Sequence, residues 1–160
     1  MFRLSNLIKS TLQEQKSRSL DGSIIIWNMT NRCNLLCHHC YSKASANEKE
    51  SLSLEDILKT IPKLKIANIN FVIFSGGEPL LRKDIFEIAQ CMKDNKIMTY
   101  LSTNGTYITE KKKKKIIDTF NYIGISIDGI GEVHDYFRGQ KGSYDKSIEA
   151  IKTIQKLGGN

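Results

Sequence analysis

Four short apolar runs, each followed by an amphipathic helical pattern, constrain the fold of this chain more than any other feature. The apolar runs are Ile24–Trp27, Ile69–Phe74, Ile97–Leu101 and Tyr122–Ile127. The first helical pattern begins at Ser53, with Asp56 as its capping-box partner. The other three cover Lys83–Asp94, about Thr109–Phe120 with Thr109 as N-cap, and about Ser143–Leu157. Strands that alternate with helices in this way form parallel sheets with right-handed crossovers, so an α/β fold is predicted.

The residues around these runs favour one kind of α/β fold. The second run is apolar without interruption over Phe71–Phe74, which is typical of a parallel strand covered on both faces. Doubly wound sheets and β/α barrels both fit this pattern, but no Gly-x-Gly-x-x-Gly sequence follows the first run, which disfavours a dinucleotide-binding fold. Each run is instead followed by a polar or glycine-rich motif. Parallel strands place such motifs at one rim, where β/α barrels keep their active sites.

Length, composition and charge exclude several classes of protein. The chain has 160 residues, of which 40% are hydrophobic and 26% charged, so disordered and fibrous classes are excluded. No apolar run approaches the roughly 20 residues that cross a bilayer, and the N-terminal stretch lacks the continuous apolar segment of a secretory signal. We therefore expect a cytoplasmic protein without a membrane partner. The run Lys111–Lys115 supplies five of the seven net positive charges, so no nucleic-acid partner is predicted.

Three of the four cysteines, Cys33, Cys37 and Cys40, fall within eight residues. A tight cluster of this kind in a cytoplasmic chain indicates a metal site. One interpretation is zinc, with His38 or His39 as the fourth ligand. The other is an iron–sulfur cluster with three cysteine ligands, which leaves one iron open for a substrate or cofactor. Structural zinc sites commonly use two separated ligand pairs, and this sequence offers no second pair, so the spacing favours the cluster.

The other three runs are followed by motifs of small polar residues and glycines. They are Ser75-Gly76-Gly77-Glu78-Pro79, Ser102-Thr103-Asn104-Gly105 and Ser126-Ile127-Asp128-Gly129. Two adjacent glycines let backbone groups approach a ligand closely, and the neighbouring carboxylate can accept hydrogen bonds from an amine. Asn-Gly and Asp-Gly alone are ordinary turns. Together the motifs predict a rim that binds a polar, zwitterionic small molecule.

The cysteine motif (residues 31–41), Gly76–Pro79 and Ser102–Gly105, in this order and each after a strand, resemble the motifs of the radical S-adenosylmethionine (SAM) superfamily. The resemblance covers residues 24–140. It implies a partial (β/α)6 barrel with four β/α units on a parallel sheet. Residues 21–160 would form the core domain, which stops before the fifth strand, and residues 1–20 would form an N-terminal extension.

The resemblance also implies an activity. Such an enzyme reductively cleaves SAM at a [4Fe–4S] cluster, and the resulting 5′-deoxyadenosyl radical abstracts hydrogen from a substrate. The electron would come from a low-potential donor such as flavodoxin or ferredoxin.

Roles for individual residues follow from the same resemblance. Cys33, Cys37 and Cys40 would bind the cluster. In the SAM site, Gly76, Gly77 and Glu78, with the adjoining Pro79, would lie at the amine of SAM. Asn104 and Ser126 would lie near its ribose or carboxylate. His39 would lie beside the adenine, and Arg138 would reach toward the carboxylate. His134 is expected on a loop, as a hydrogen-bonding residue rather than a catalytic base.

Further stretches indicate a branch of the superfamily. The stretches are similar to those of members that act on tetrapyrrole side chains in heme d1 biosynthesis: Met1–Ser5, Ile26–Thr30, Gly124–Gly131, His134–Asp135 and Phe137–Gly139. A tetrapyrrole is therefore the expected small-molecule substrate. Two alternatives stay open: a peptide maturase with the same initiation chemistry, and a zinc- or cluster-binding scaffold without catalysis.

Overall fold

One parallel sheet organises the part of the chain that the computed structural model describes, residues 22–50 and 52–159. Its strands lie in the order β1-β2-β3-β4: β1 Ser23–Thr30, β2 Ile69–Gly76, β3 Met98–Thr103 and β4 Tyr122–Ile125. The helices of this part are α1 Leu54–Ile66, α2 Ile85–Asp94, α3 Glu110–Thr119, α4 Glu132–Arg138 and α5 Ser143–Lys156, with a 3-10 helix at Pro79–Leu81. The predicted α/β fold with a parallel sheet is confirmed. The predicted N-terminal extension lies outside the described residues.

The helix starts show how well local chemistry predicts the elements. The predicted capping box forms at α1, where Ser53 Oγ accepts from the backbone N–H of Asp56 at 3.1 Å and Asp56 Oδ2 accepts from Ser53 N–H at 3.4 Å. Thr109 is the N-cap of α3, as predicted, although its side chain makes no capping hydrogen bond. None of the helices in the described residues is long and apolar enough to cross a membrane.

The buried core lies between the helices and one face of the sheet. Val72 and Phe74 of β2 are fully buried in it, whereas Phe71, which alternates with them, stays partly exposed. In β1, Ile24 and Ile26 lie on the same face as Phe71 and are 45% and 68% exposed. The expectation that β2 is covered on both faces is therefore wrong for the described residues. Its uninterrupted apolar run reflects one face packed under helices and a second apolar face that these helices leave open.

Helix α4 was not expected from the sequence. It has seven residues and lies between Gly131 and Gly139, the second of which adopts the left-handed conformation that ends the helix. His134 was predicted on a loop, but it lies within α4 and is 1% exposed. The helix is short and carries apolar side chains that face outward, including Val133 at 54% exposure. No apolar stripe of helical period therefore marks it in the sequence.

Candidate cofactor site

A pocket of about 390 Å³ lies where the cysteine loop meets the carboxyl ends of β2, β3 and β4. Nine of the residues predicted from the sequence line it: Cys33, Cys37, His39, Cys40, Gly76, Gly77, Asn104, Ser126 and Arg138. Two predicted residues, Glu78 and Pro79, are buried and do not line it. The sheet thus brings together side chains that lie about a hundred residues apart in the chain.

The cysteine loop is closed by its own backbone. The N–H of Cys33 donates to the carbonyl of Ser45 at 3.0 Å, and the N–H of Ser45 donates to the carbonyl of Asn31 at 3.2 Å. Within the loop, the N–H of Cys40 donates to the carbonyl of Cys37 at 3.1 Å. These bonds hold the two ends of the loop side by side, so that all three thiols face one pocket.

The thiols differ in their electrostatic surroundings. Cys33 is buried, and burial raises its pKa above the ordinary thiol value. Burial also acts on Cys40, but hydrogen bonds from the hydroxyl of Ser42 and from backbone groups of residues 42–44 outweigh it, so the pKa of Cys40 lies below the ordinary value. Cys40 is therefore the easier of these two thiols to ionise.

The donor set indicates which metal group fits here. Among residues 22–50 and 52–159, no three His, Cys, Asp or Glu side chains are positioned to hold a single metal ion. The three thiols all line the pocket. Soft thiolate ligands are the donors of iron–sulfur clusters, so the residues present fit a cluster with three cysteine ligands.

Gly76 and Gly77 allow β2 to end directly against the start of the cysteine loop. The N–H of Gly77 donates to the carbonyl of Thr30, and the N–H of Glu78 donates to the carbonyl of Arg32, both at 2.8 Å. A Cβ on Gly77 would lie 2.1 Å from the Arg32 carbonyl oxygen, and one on Gly76 would lie 2.3 Å from the Thr30 carbonyl oxygen. Because backbone occupies the space that a side chain would need, the pair of glycines fixes the position of the loop.

The carboxylate of Glu78 joins the ends of β2 and β3. Its oxygens accept from the N–H of Leu80 at 3.0 Å, the hydroxyl of Thr103 at 2.8 Å and the N–H of Asn104 at 2.8 Å. The side chain is completely buried, and burial raises its pKa although these hydrogen bonds act in the opposite direction. In the structure, the Glu78 carboxylate therefore faces protein donors rather than the pocket.

The side chain of Asn104 links the cysteine loop to the loop after β3. Its Nδ2 donates to Asn34 Oδ1 at 3.1 Å, and its Oδ1 accepts from the N–H and hydroxyl of Thr106 at 2.9 and 2.7 Å. Asn34 Nδ2 in turn donates to Thr106 Oγ1 at 2.8 Å. Ser126, the other predicted residue of this group, is held at the pocket by a bond of 3.0 Å from its N–H to the carbonyl of Thr103.

A charged group forms part of the wall of the pocket. Arg138, whose side chain is 11% exposed, places its Nε 2.6 Å from Asp128 Oδ2, in ion-pair contact although off the direction of a hydrogen bond. His39 Nε2 lies 3.4 Å from the same oxygen. On its other side, Arg138 Nη1 lies 3.9 Å from Cys37 Sγ. Asp128 was recognised in the sequence only as one polar residue of the rim and was given no role.

Helix α4 packs directly against the cysteine loop. The N–H of His38 donates to the carbonyl of Phe137 at 2.9 Å, and the ring of His39 contacts that of Phe137 with 5.7 Å between centroids. A Cβ on Gly139 would lie 2.4 Å from the carbonyl oxygen of Leu36. This contact spans about a hundred residues of sequence, and nothing local in the sequence indicates it.

A buried cation supports the site from behind. Arg82 is 3% exposed and lies outside the pocket lining. It donates to the carbonyls of Met29 at 2.9 Å and Leu52 at 3.1 Å, and its Nε donates to Asp84 at 2.6 Å. Arg82 thereby fixes the end of β1, immediately before the cysteine loop. The residue carries no motif signal, and we did not predict its role from the sequence.

Comparison with known proteins decides the family to which this site belongs. A family model for the radical SAM superfamily matches residues 27–160. The chain belongs to the radical SAM superfamily. Radical SAM proteins are enzymes that use a [4Fe–4S] cluster and SAM, as the motifs implied.

Individual relatives in the radical SAM superfamily are much longer than this chain. Fe-coproporphyrin III synthase of Methanosarcina barkeri is 40% identical over 137 residues, which is 84% of this chain and 34% of the relative. Pre-heme d1 synthase of Dinoroseobacter shibae is 36% identical over an alignment of 163 positions, which covers 99% of this chain and 40% of the relative. The chain thus spans about a third to two fifths of the length of these curated relatives.

A solved radical SAM structure gives the same result for the fold. It is native anSMEcpe with bound AdoMet and a peptide called Cp18Cys, and it matches with a TM-score of 0.70 and 25% identity. The match covers 86% of this chain and 40% of that structure. The predicted partial radical SAM fold is therefore confirmed.

Proposed function

We propose that this chain is the cofactor-binding part of a radical SAM enzyme that modifies a tetrapyrrole. The observation that carries the proposal is the pocket, in which three cysteine thiols and the polar ends of three parallel strands face one space of about 390 Å³. Thiolates suit a cluster, and the backbone groups, the hydroxyl and the guanidinium that share the pocket suit a zwitterionic amino acid. SAM is such a molecule.

In this proposal Cys33, Cys37 and Cys40 hold the [4Fe–4S] cluster. The other lining residues hold SAM: the guanidinium of Arg138 offers charge-assisted hydrogen bonds to a carboxylate, and the ring of His39 offers a flat surface to the adenine. Gly76 and Gly77 line the same pocket and present backbone rather than side chains to the methionine end of SAM. Asn104 and Ser126 complete the polar wall.

When bound, the reduced cluster would donate one electron to SAM, and the resulting cleavage of a carbon–sulfur bond of SAM would supply the radical that abstracts a hydrogen atom from the substrate. The chain's own residues prepare the site for this chemistry. The backbone bonds of the cysteine loop, the buried Glu78 and the α4 contact hold the proposed ligands in position around the pocket. A low-potential protein such as flavodoxin or ferredoxin would deliver the electron.

Two observations support a tetrapyrrole as the substrate. The Methanosarcina and Dinoroseobacter relatives are named for the synthesis of Fe-coproporphyrin III and pre-heme d1. In addition, large apolar side chains close in sequence to residues that line the pocket are exposed, namely Leu36 at 68%, Ile130 at 81% and Tyr136 at 66%. A flat macrocycle has a large apolar face that exposed apolar side chains can cover.

A peptide is the second candidate substrate, because the similar solved structure holds AdoMet together with a peptide. The two candidates differ in how they bind. The visible absorption of a tetrapyrrole should change when it binds the reconstituted protein, whereas an unmodified peptide has no visible absorption to change. Titration of the protein with a porphyrin that carries propionate side chains therefore separates them, and the absence of any spectral change up to solubility would count against the tetrapyrrole.

The cofactor assignment is tested by anaerobic reconstitution with iron and sulfide. We expect a broad absorbance at about 400 nm that bleaches with dithionite, as iron–sulfur clusters show, and 5′-deoxyadenosine upon reduction in the presence of SAM. Cys37→Ala should abolish both signals. Cys91→Ala is the matched control, because Cys91 packs against the main core on α2, away from the pocket. A colourless protein that contains zinc would support the scaffold alternative.

A further inference from the structure

We propose that Asp128 is a positioning residue, which holds the guanidinium of Arg138 in the orientation that the cofactor pocket requires. This inference rests on the proposed function, because it concerns how the same pocket recognises SAM. Asp128 follows β4 and lines the pocket together with Arg138, which is the last residue of α4.

The carboxylate of Asp128 contacts two other side chains of the pocket. One of its oxygens, Oδ2, lies 2.6 Å from Arg138 Nε and 3.4 Å from His39 Nε2. The side chain of Arg138 is only 11% exposed, so the contact is shielded from water and stronger than a surface ion pair. A single carboxylate thus touches two of the residues that the proposed function places on SAM.

Asp128 is itself fixed from behind. Its backbone N–H donates to Nδ1 of His134 at 3.2 Å, and His134 is buried within α4 with 1% exposure. Because His134 and Arg138 lie on the same helix, α4 contacts both the backbone N–H and the carboxylate of Asp128. The backbone of Asp128 is therefore held against the same helix that carries Arg138.

The guanidinium of Arg138 reaches from Asp128 to the cysteine loop. The guanidinium is a rigid, planar fork with donors on more than one edge. Asp128 faces Nε, whereas Nη1 lies 3.9 Å from Cys37 Sγ, on the side where the cysteine thiols line the pocket. Asp128 thus holds the guanidinium of Arg138 beside Cys37, where we expect the SAM carboxylate to meet the cluster.

A double-mutant cycle tests this role, with binding rather than turnover as the readout. The cluster is reconstituted anaerobically in the wild type, Asp128→Asn, Arg138→Gln and the double variant, and the Kd for SAM is measured by calorimetry. We expect Asp128→Asn to raise the Kd about tenfold, the lower end of the effect of a lost supporting residue. If Asp128 acts through Arg138, the double variant should bind no more weakly than Arg138→Gln alone.

Two further variants keep the test decisive. Asp118→Asn is the matched control, because Asp118 is exposed on α3 and its loss should leave the Kd unchanged. Asp128→Glu retains the carboxylate and should bind SAM within about threefold of the wild type, a loss far smaller than removal of the supporting group gives. This variant decides the matter if Asp128→Asn fails to take up the cluster.

The possible outcomes separate the inference from the proposed function. Wild-type protein that takes up no cluster or binds no SAM would overturn the proposed function and this inference with it. Wild-type protein that binds SAM, combined with an Asp128→Asn variant of equal affinity, would overturn the inference alone. So would an Asp128→Asn effect of the same size in the Arg138→Gln background, or an Asp128→Glu variant as weak as Asp128→Asn.

Discussion

Replacement of Gly77 by alanine would insert a methyl group between the end of β2 and the start of the cysteine loop. The added Cβ would lie 2.1 Å from the carbonyl oxygen of Arg32 and 2.6 Å from its carbonyl carbon. That oxygen accepts the 2.8 Å hydrogen bond from the N–H of Glu78. Since ordinary van der Waals contact begins at 3.4 Å, the Arg32 carbonyl must move by more than an ångström, and this hydrogen bond breaks.

The cost of Gly77→Ala can be worked out from these two effects. Overpacking of a tight contact costs about 1–3 kcal/mol, and a buried backbone group left without its partner costs about 1–3 kcal/mol. We therefore expect the free energy of unfolding to fall by about 2–6 kcal/mol. The displaced carbonyl belongs to the residue before Cys33, so the Kd for SAM should rise as well.

Urea unfolding followed by circular dichroism measures the first effect, and calorimetry on the reconstituted protein measures the second. Gly158→Ala is the control, because Gly158 has a φ of +76° but no atom within 4 Å of its added Cβ. It should lose about 1–2 kcal/mol from the left-handed backbone alone and bind SAM normally. A Gly77→Ala protein as stable as the wild type, with unchanged SAM affinity, would refute the reasoning.

Three further substitutions test the surroundings of the pocket. Glu78→Gln removes one acceptor from a carboxylate that serves three donors, so urea unfolding should show a loss of about 1–3 kcal/mol; equal stability would contradict the bonding described. Arg82→Met leaves Asp84 without its buried partner, and the free energy of unfolding should fall by about 3–5 kcal/mol in the same assay. A loss below about 1 kcal/mol would contradict the supporting role given to Arg82. Burial lowers the pKa of His134 below its ordinary 6.5, and the charge of Arg138 acts in the same direction. The stability that neutral His134 contributes is therefore present above pH 6.5 and is lost as the pH falls through the lowered pKa. His134→Phe should therefore lose stability less steeply between pH 7 and pH 5 than the wild type, and an unchanged slope in pH-dependent unfolding would argue against this role.

The sequence predicts the elements whose signals are local. The capping box at Ser53 and the apolar period of α5 depend on residues within one or two turns, and both elements are found where predicted. The parallel sheet follows from the repeated strand–helix order. Helix α4 escapes prediction because contacts with the cysteine loop fix it, and its outward apolar side chains, such as Val133, form no stripe toward the core.

The same distinction holds for the site. Motif spacing suffices to place the three cysteines and both glycines at one pocket. It cannot show that the Glu78 carboxylate turns inward to Thr103 and Asn104, since that depends on the register of β2 against β3. The positions of Asp128 and Arg82 are likewise set by partners distant in sequence.

The open face of the sheet affects how this protein can be studied. Ile24, Ile26 and Tyr122 on that face are 45%, 68% and 45% exposed in the folded state. We therefore expect dyes that fluoresce on apolar surfaces to fluoresce with the folded protein as well, so a rise in dye fluorescence is not by itself a sign of unfolding. Their displacement, in contrast, offers a direct screen for any added polypeptide or small molecule that covers this face.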